Sequence, residues 1–243
     1  MRTFALLMAV ACALLAGPAS AADDEASGEA KGEANGRMAA PIEGDAKQAR
    51  VFDGDSFTMA GLHIHLAGID APELGQDCPR PSERDARCGL TAAYELRKRL
   101  QLEPRPLRCW PQGPQKDGAV TATCAAGEDD VARQLLDAGY AFALPDAQID
   151  YRLAEEKART SGLGLWAGGV TAPWDWRRER EAAEAQGPEQ GCVIAGVVEN
   201  GARLYYGPLD ADYGAKTGAP EAVERWFCSE DAARAAGLRR PAA

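Results

Sequence analysis

Residues 51–73 read VFDGDSFTMAGLHIHLAGIDAPE, and this run decides the fold. Apolar residues recur with the short period of strands through Val51 and Phe52, then Phe57 and Met59, then Leu62, Ile64 and Leu66. Tight turns join three such segments, and carboxylates end two of them. If the segments form a meander, Asp53, Asp55, Asp70 and Glu73 converge. Two hard-oxygen ligands beside a further carboxylate suit a divalent cation and a general base acting on water. The bland alternative is turn chemistry, since Asp-Gly and Asp-Ala-Pro are common turns.

Upstream, residues 1–21 read as a secretory signal peptide: Arg2 opens it, Phe4–Ala16 is too short an apolar run to cross a bilayer, and Pro18-Ala19-Ser20-Ala21 offers small residues for cleavage. The mature chain is then expected from Ala22, exported to the periplasm or medium, with no membrane span. Residues 22–48 are rich in Ala, Gly and Glu and carry no aromatic residue. They bury too little to offset their ordering entropy and read as a disordered linker.

Downstream, Cys88–Leu102 changes to helical spacing and ends at Pro104 and Pro106. Leu107–Trp110 and Val120–Cys124 read as a hairpin about Asp117-Gly118. Asp130–Ala138 and Ile149–Ser161 are predicted helices, closed by Gly139 and Gly162. Three strands, a helix, two strands and further helices is the order of a five-stranded OB-type barrel carrying about three helices, which fits residues 49–178. A charged linker follows at 179–191, with Arg177, Arg178 and Arg180 read as a solvated helix face. Residues 192–243 form a small α+β unit in which Ser229 caps a short helix with Glu230 and Asp231 in its first turn.

Six cysteines remain once the signal is removed, an even number that in an exported chain argues for disulfides. Proximity in the chain and on the hairpin suggests Cys78 with Cys88, Cys109 with Cys124, and Cys192 with Cys228, although sequence alone leaves the connectivity open. Zinc is the weaker reading because no Cys-x-x-Cys pair occurs. The net charge of −10, or −11 without Arg2, counts against a strong general binder of nucleic acid, which normally presents a basic face.

The segments D-G-D-S at 53–56 and G-I-D-A-P-E at 68–73 resemble the active-site region of the staphylococcal nuclease (thermonuclease) family. Supporting matches are Gln76, Cys88-Gly89, Gly139-Tyr140-Ala141, Tyr151, Ala158-Arg159, Gly164-Leu165-Trp166, Pro173 and Trp176-Arg177. Residues 226–230 and 235–237 are similar to a Cys-paired extension that follows such domains. The resemblance implies Ca2+-dependent hydrolysis of nucleic-acid phosphodiester bonds. Asp55 and Asp70 would ligate the cation with the carbonyl of Ala71, Glu73 would be the general base, and Asp53 would support the turn.

Two departures fall where that chemistry needs cations. The place of the family's first arginine is His65, and the second falls at Ala119 within Lys116-Asp117-Gly118-Ala119-Val120. Arginine's planar fork gives two charged hydrogen bonds to a phosphoryl group, and losing one preorganised donor costs about two to three orders of magnitude in rate. Lys116, Arg80, Arg84 and Arg87 are candidate substitutes. His63 and His65, two apart on a strand, share a face. They bind Zn2+ or Mn2+ with the acids, or His65 fills the vacated arginine pocket or serves as a weakened phosphate donor. Trp110, Trp166, Trp174, Trp176 and Trp226 are expected to pack rather than stack bases. Two functions stand: a weak metal-dependent phosphodiesterase acting as a monomer on single-stranded nucleic acid, or a non-catalytic module binding a protein or envelope ligand.

Overall fold

The computed structural model describes residues 40–79, 86–112, 119–181, 191–218 and 220–241. The expected signal segment, most of the linker at 22–48, the Asp117-Gly118 turn, Arg80, Arg84, Lys116 and most of 179–191 lie outside them.

Strands β1 (Ile42–Asp45), β2 (Arg50–Val51), β3 (Ser56–Met59) and β4 (Leu62–Leu66) open the fold, followed by β5 (Ile69–Asp70). The β3–β4 turn is Ala60-Gly61, both with positive φ, the twist that two-residue hairpins favour. Its register sets Phe57 against Ile64, and both side chains are fully buried. The short pair β6 (Asp77–Cys78) and β7 (Ala86–Arg87) leads into α1 (Cys88–Leu102), whose Ala92, Ala93, Leu96 and Leu100 are buried. Next come β8 (Pro106–Pro111) and β9 (Ala119–Ala126), the expected hairpin, with Cys109 opposite Cys124. After β10 (Asp129–Asp130), α2 (Val131–Asp137) begins where Asp130 accepts the Arg133 amide at 3.0 Å. β11 (Phe142–Ala143), α3 (Ile149–Thr160) and α4 (Pro173–Glu181) complete this part.

The main sheet is mixed and runs β1-β8-β9-β4-β3-β2, with β10 beside β9 and β4 parallel to β9. This path is open, so the closed five-stranded barrel expected from sequence is not what the described ladders draw. β5, which would help to close it, pairs with β11 in a separate ladder. A second correction concerns Ile42–Asp45, read from composition as linker. It is an edge strand with Ile42 opposite Cys109, and Gly44 lies so close to Met59 that a Cβ there would meet it at 2.7 Å. Few apolar residues mark such an edge, because only one of its faces is buried.

Strands β12 (Ile194–Glu199), β13 (Ala202–Tyr206) and β14 (Arg225–Phe227) form a three-stranded sheet, with α5 (Tyr213–Thr217) and α6 (Glu230–Ala235) beside it. Ser229 caps α6, accepting the Ala232 amide at 3.1 Å. This unit shares its core with the main sheet. Ile194, Tyr205, Phe227 and Leu238 join Val51, Phe52 and Leu74 in one cluster, and Tyr205 meets Phe52 edge-on at 5.7 Å. All six described cysteines are paired as 78–88, 109–124 and 192–228, so none is left for zinc. Trp166 and Trp174 pack on Phe142, and Trp176 is buried.

Gly89 ties α1 to the loop after β5. A Cβ at this position would lie 1.7 Å from the Glu73 carbonyl oxygen, inside backbone that cannot yield. Gly89→Ala is therefore expected to destabilise by about 2–3 kcal/mol, measured by urea unfolding.

Candidate active site

The expected acids do converge. A cleft of about 190 Å³ is lined by Asp53, Asp55, Asp70 and Glu73, together with His65, Arg177, Glu230 and Asp231. The turn after β2 aims the first two. Asp53 accepts the Asp55 amide at 3.2 Å and the Ser56 hydroxyl at 2.6 Å, which closes a side-chain turn. Gly54 is required between them, because a Cβ would strike Ala71 and Ala92 within 2.7 Å. Asp55 Oδ2 accepts the Ala71 amide at 2.7 Å, so the strand bearing Asp70 is pulled against the first turn. Glu73 is held where its amide donates to Gln76 Oε1 at 3.3 Å, and fully buried Gln76 donates on to the Thr171 carbonyl at 2.8 Å.

Arg177 of α4 enters the same cleft, which corrects its reading as a solvated residue. Its Nη2 donates to Asp70 Oδ2 at 2.7 Å and its Nη1 to Asp70 Oδ1 at 3.1 Å. Nη1 also donates to Glu73 Oε1 at 2.7 Å. Arg178 stays exposed, as expected of its neighbour, while Arg180 lies over the ring of Trp176 at 5.3 Å. Arg87, one of the candidate substitutes, is exposed and is not among the residues lining this cleft.

Electrostatically the cleft carries more negative charge than it neutralises. Burial, then the charges of Asp53, Asp70 and Glu73, lifts the Asp55 carboxyl well above its usual range. Burial does the same to Glu73 against the pull of Arg177. Asp70 is also raised by burial, although Arg177's hydrogen bond and charge oppose the shift.

His63 and His65 share a face but turn to a partner the sequence did not suggest. His63 Nε2 donates to Glu230 Oε2 at 2.8 Å, and Glu230 Oε1 accepts the Tyr205 hydroxyl. The Ser56 hydroxyl lies 3.3 Å from the same Oε2. His65 Nε2 faces Arg234 Nη1 at 2.7 Å. An arginine can only donate, so this nitrogen is the acceptor and His65 is a neutral ring protonated at Nδ1. Burial, its largest influence, lowers the His65 pKa in the same sense. His63, His65 and Glu230 offer ligand atoms within 4.8 Å of one another, yet Arg234 already brings a positive charge to that cluster. One of the readings left open by sequence grouped these histidines with Asp55, Asp70 and Glu73 around a metal. Their strand instead sets them against α6, with His65 alone lining the cleft.

Glu230, Arg234 and Arg177 were the functional-looking residues that sequence reasoning missed. Glu230 had a sufficient explanation as a first-turn acid of α6. For Arg177 the available signals were its place directly after Trp176 and its membership in the Trp176-Arg177 match to the family, neither of which pointed it at the acids.

With this geometry in view, the staphylococcal nuclease homologue family matches residues 63–168. The chain carries a staphylococcal nuclease homologue domain. The match covers Asp70 and Glu73, while Asp53 and Asp55 precede it and Arg177, Glu230 and Arg234 follow it. The succinoglycan biosynthesis protein ExoI of Rhizobium meliloti is 37% identical over 133 residues, covering 53% of this chain and 66% of that protein. A probable endonuclease LCL3 of Paracoccidioides brasiliensis is 36% identical over 138 residues, 49% of this chain and 38% of that protein. A probable staphylococcal-like nuclease CAN4 of Oryza sativa is 28% identical over 145 residues, 58% of this chain and 27% of that protein. The chain thus spans just under two thirds of the first relative and well under half of the others.

Glu230 supplies a pH test. Burial pushes its carboxyl up, but the charge and hydrogen bond of His63, with the Tyr205 hydroxyl, outweigh burial and hold it at about 2 against an ordinary 4.5. A depressed carboxyl contributes stability that is whole above pH 4.5 and is lost as pH falls toward 2. Glu230→Gln is expected to destabilise by about 3 kcal/mol at neutral pH, since it leaves buried partners uncompensated. Between pH 4.5 and 2 the variant should lose less stability than the parent, measured by urea unfolding across that window.

Proposed function

We propose that this chain is an exported, divalent-cation-dependent phosphodiesterase acting weakly on single-stranded nucleic acid, built as a monomer on an OB-type scaffold. The observation that carries the reading is the convergence of Asp55, Asp70 and Glu73 on one cleft, with the carboxyl pKa values of all three raised. The donor set fits a hard cation, because under-compensated carboxylate oxygens in a buried site are what such an ion prefers. Asp55 and Asp70 would hold it, with Ca2+ as the family's ion and Mn2+ or Zn2+ as weaker choices. When bound, the ion polarises a phosphoryl oxygen and offsets developing charge.

The chain's own residues do the rest. Glu73, raised toward neutrality by burial, takes a proton from the attacking water. Asp53 fixes the turn that aims Asp55. Arg177 is the arginine among the cleft-lining residues, and it is already paired with two acids, which supports a slow enzyme. Three disulfide pairs support export, since such bonds persist in oxidising compartments.

One observation favours a non-catalytic module binding a protein or envelope ligand. The cleft is lined by six carboxylates, Asp53, Asp55, Asp70, Glu73, Glu230 and Asp231, which repel a polyanion.

Hydrolysis of single-stranded DNA decides between the two readings, run with EDTA, Ca2+, Mn2+ or Zn2+ beside Glu73→Gln. Cation-dependent cutting that falls by at least ~10²-fold in Glu73→Gln is the expected result. No cutting above that control with any ion retires the enzyme. Asp55→Asn, which relieves like-charge repulsion while keeping an acceptor for the Ala71 amide, is expected to raise the melting temperature in EDTA. A rise of roughly 2 °C or more corresponds to about 1 kcal/mol in a domain of this size. The variant should also lose the stabilisation that Ca2+ gives the parent, measured by scanning calorimetry.

A further inference from the structure

The two strand positions where the family carries arginine hold His65 on β4 and Ala119 at the start of β9. His65 is neutral and its Nε2 is engaged by Arg234, while Ala119 has no polar side-chain atom at all. Among the described residues the cleft nevertheless contains one guanidinium, and it comes from neither strand. Arg177 rides on α4, beyond the family-matched span of 63–168, and the helix is anchored by buried Trp176.

The fork of Arg177 takes both oxygens of Asp70 and one of Glu73, the same two acids assigned above to the cation and to the proton. The Asp70 and Glu73 side chains are 11% and 8% exposed, so little water screens these contacts. A guanidinium and a divalent cation compete for Asp70, because both are positive and both seek the same lone pairs. At such separations and in such burial the repulsion between two cations is strong. The contact to Glu73 does not compete in this way. A cation arriving at Asp70 therefore displaces one edge of the fork while the other edge stays hinged on Glu73. The freed edge then faces the cleft, beside the acid that takes the proton.

We propose that Arg177 is the built-in counter-ion of this cleft: it holds Asp70 until a divalent cation takes that seat, and then offers its freed edge to a phosphoryl oxygen. The phosphoryl half rests on the phosphodiesterase reading, whereas the competition half does not. A planar fork suits both tasks, since it pairs a carboxylate and a phosphate oxygen pair with the same geometry.

The test uses the disulfide-bonded chain, its Arg177→Gln and Arg177→Lys variants, and Ca2+ alone as the probe in calorimetric titration. Removing a competitor should tighten Ca2+ binding by about tenfold or more in Arg177→Gln, and by less in Arg177→Lys, which keeps the charge. At saturating Ca2+, cleavage of single-stranded DNA by Arg177→Gln should fall about 10²–10³-fold, with Arg177→Lys also well below the parent because it lacks the fork. Tighter ion binding with slower turnover is a pairing that a merely structural arginine does not produce, since losing structure weakens both. Unchanged or weaker Ca2+ binding in a folded Arg177→Gln overturns the proposal.

Should Arg177→Gln fail to fold, the parent answers by side-chain 15N NMR, with the guanidinium assigned from Arg177→Lys. Its signals should shift as Ca2+ is added, and signals unmoved at saturation overturn the proposal. If the parent binds Ca2+ but cuts nothing, the enzyme reading and the phosphoryl half fall together. Tighter Ca2+ binding by Arg177→Gln then still supports the competition half. No Ca2+ binding by parent or variant overturns both.

Discussion

Asp53, Asp55, Asp70 and Glu73, four of the carboxylates that line the cleft, repel one another, and much of the long-range architecture answers that repulsion. Each acid is given a partner drawn from another part of the chain or from backbone. Asp53 takes a hydroxyl and an amide from its own turn, and Asp55 takes the Ala71 amide. Asp70 and Glu73 share the guanidinium of Arg177, which sits 107 and 104 residues away in sequence. These contacts leave the carboxyl pKa of Asp55, Asp70 and Glu73 above the ordinary range, so the compensation is partial. Partial compensation is what the proposed binding of a cation requires. Full pairing would leave no free energy for an ion to gain, and no pairing would leave the turns without anything to hold them together.

The C-terminal unit belongs to the same electrostatic problem. Its apolar residues merge into the main core through Phe52, Leu74 and Tyr205, yet its most buried acid, Glu230, points back at β4. A buried carboxylate with a single partner is costly, and Glu230 has two donors, the His63 ring and the Tyr205 hydroxyl. The Ser56 hydroxyl donates to Asp53 at 2.6 Å and lies 3.3 Å from Glu230, so it stands between the acid that shapes the cleft and the acid that seats the extension. The Cys192–Cys228 bond ties the chain entering β12 to the end of β14, and so the N-terminus of α6, which bears Glu230, follows directly from a fixed point.

What was legible in sequence was what is local. Cys88–Leu102 shows its helix by the spacing of Leu90, Ala93, Leu96 and Leu100, and the β8–β9 hairpin shows itself by alternation that sets Cys109 opposite Cys124. The acids of the first turn and of the segment after β5 were legible because both lie in compact motifs. The edge strand Ile42–Asp45 was not, since one buried face on a four-residue strand leaves little periodicity to detect. The open path of the main sheet depends on β5 choosing β11 over its sequence neighbours, and no local pattern encodes that choice. Glu230 and Arg234 meet β4 across 167 and 169 residues. Glu230 was already explained as a first-turn acid of a capped helix, and Arg234 drew no reading at all, so nothing announced their second role.

The substitution at position 65 changes meaning once its neighbours are known. Taken alone, histidine in place of arginine removes a permanent positive charge from β4. In the folded chain, Arg234 places a guanidinium nitrogen 2.7 Å from that ring and holds Asp231, another lining residue of the cleft, through its other nitrogen. Positive charge is therefore present near β4 but is tied up between the His65 ring and Asp231. Arg177 sits differently, in the cleft itself and on the acids that the proposed chemistry uses. Two guanidinium groups thus flank the cleft, as a phosphoryl group would require, although neither is carried by the strands. Which of them can act is decided by what must move. Arg234 must break its bond to His65 and lose the company of Asp231, whereas Arg177 needs only to yield one carboxylate to a competing cation. The arginine that a cation can displace is the one able to respond to it.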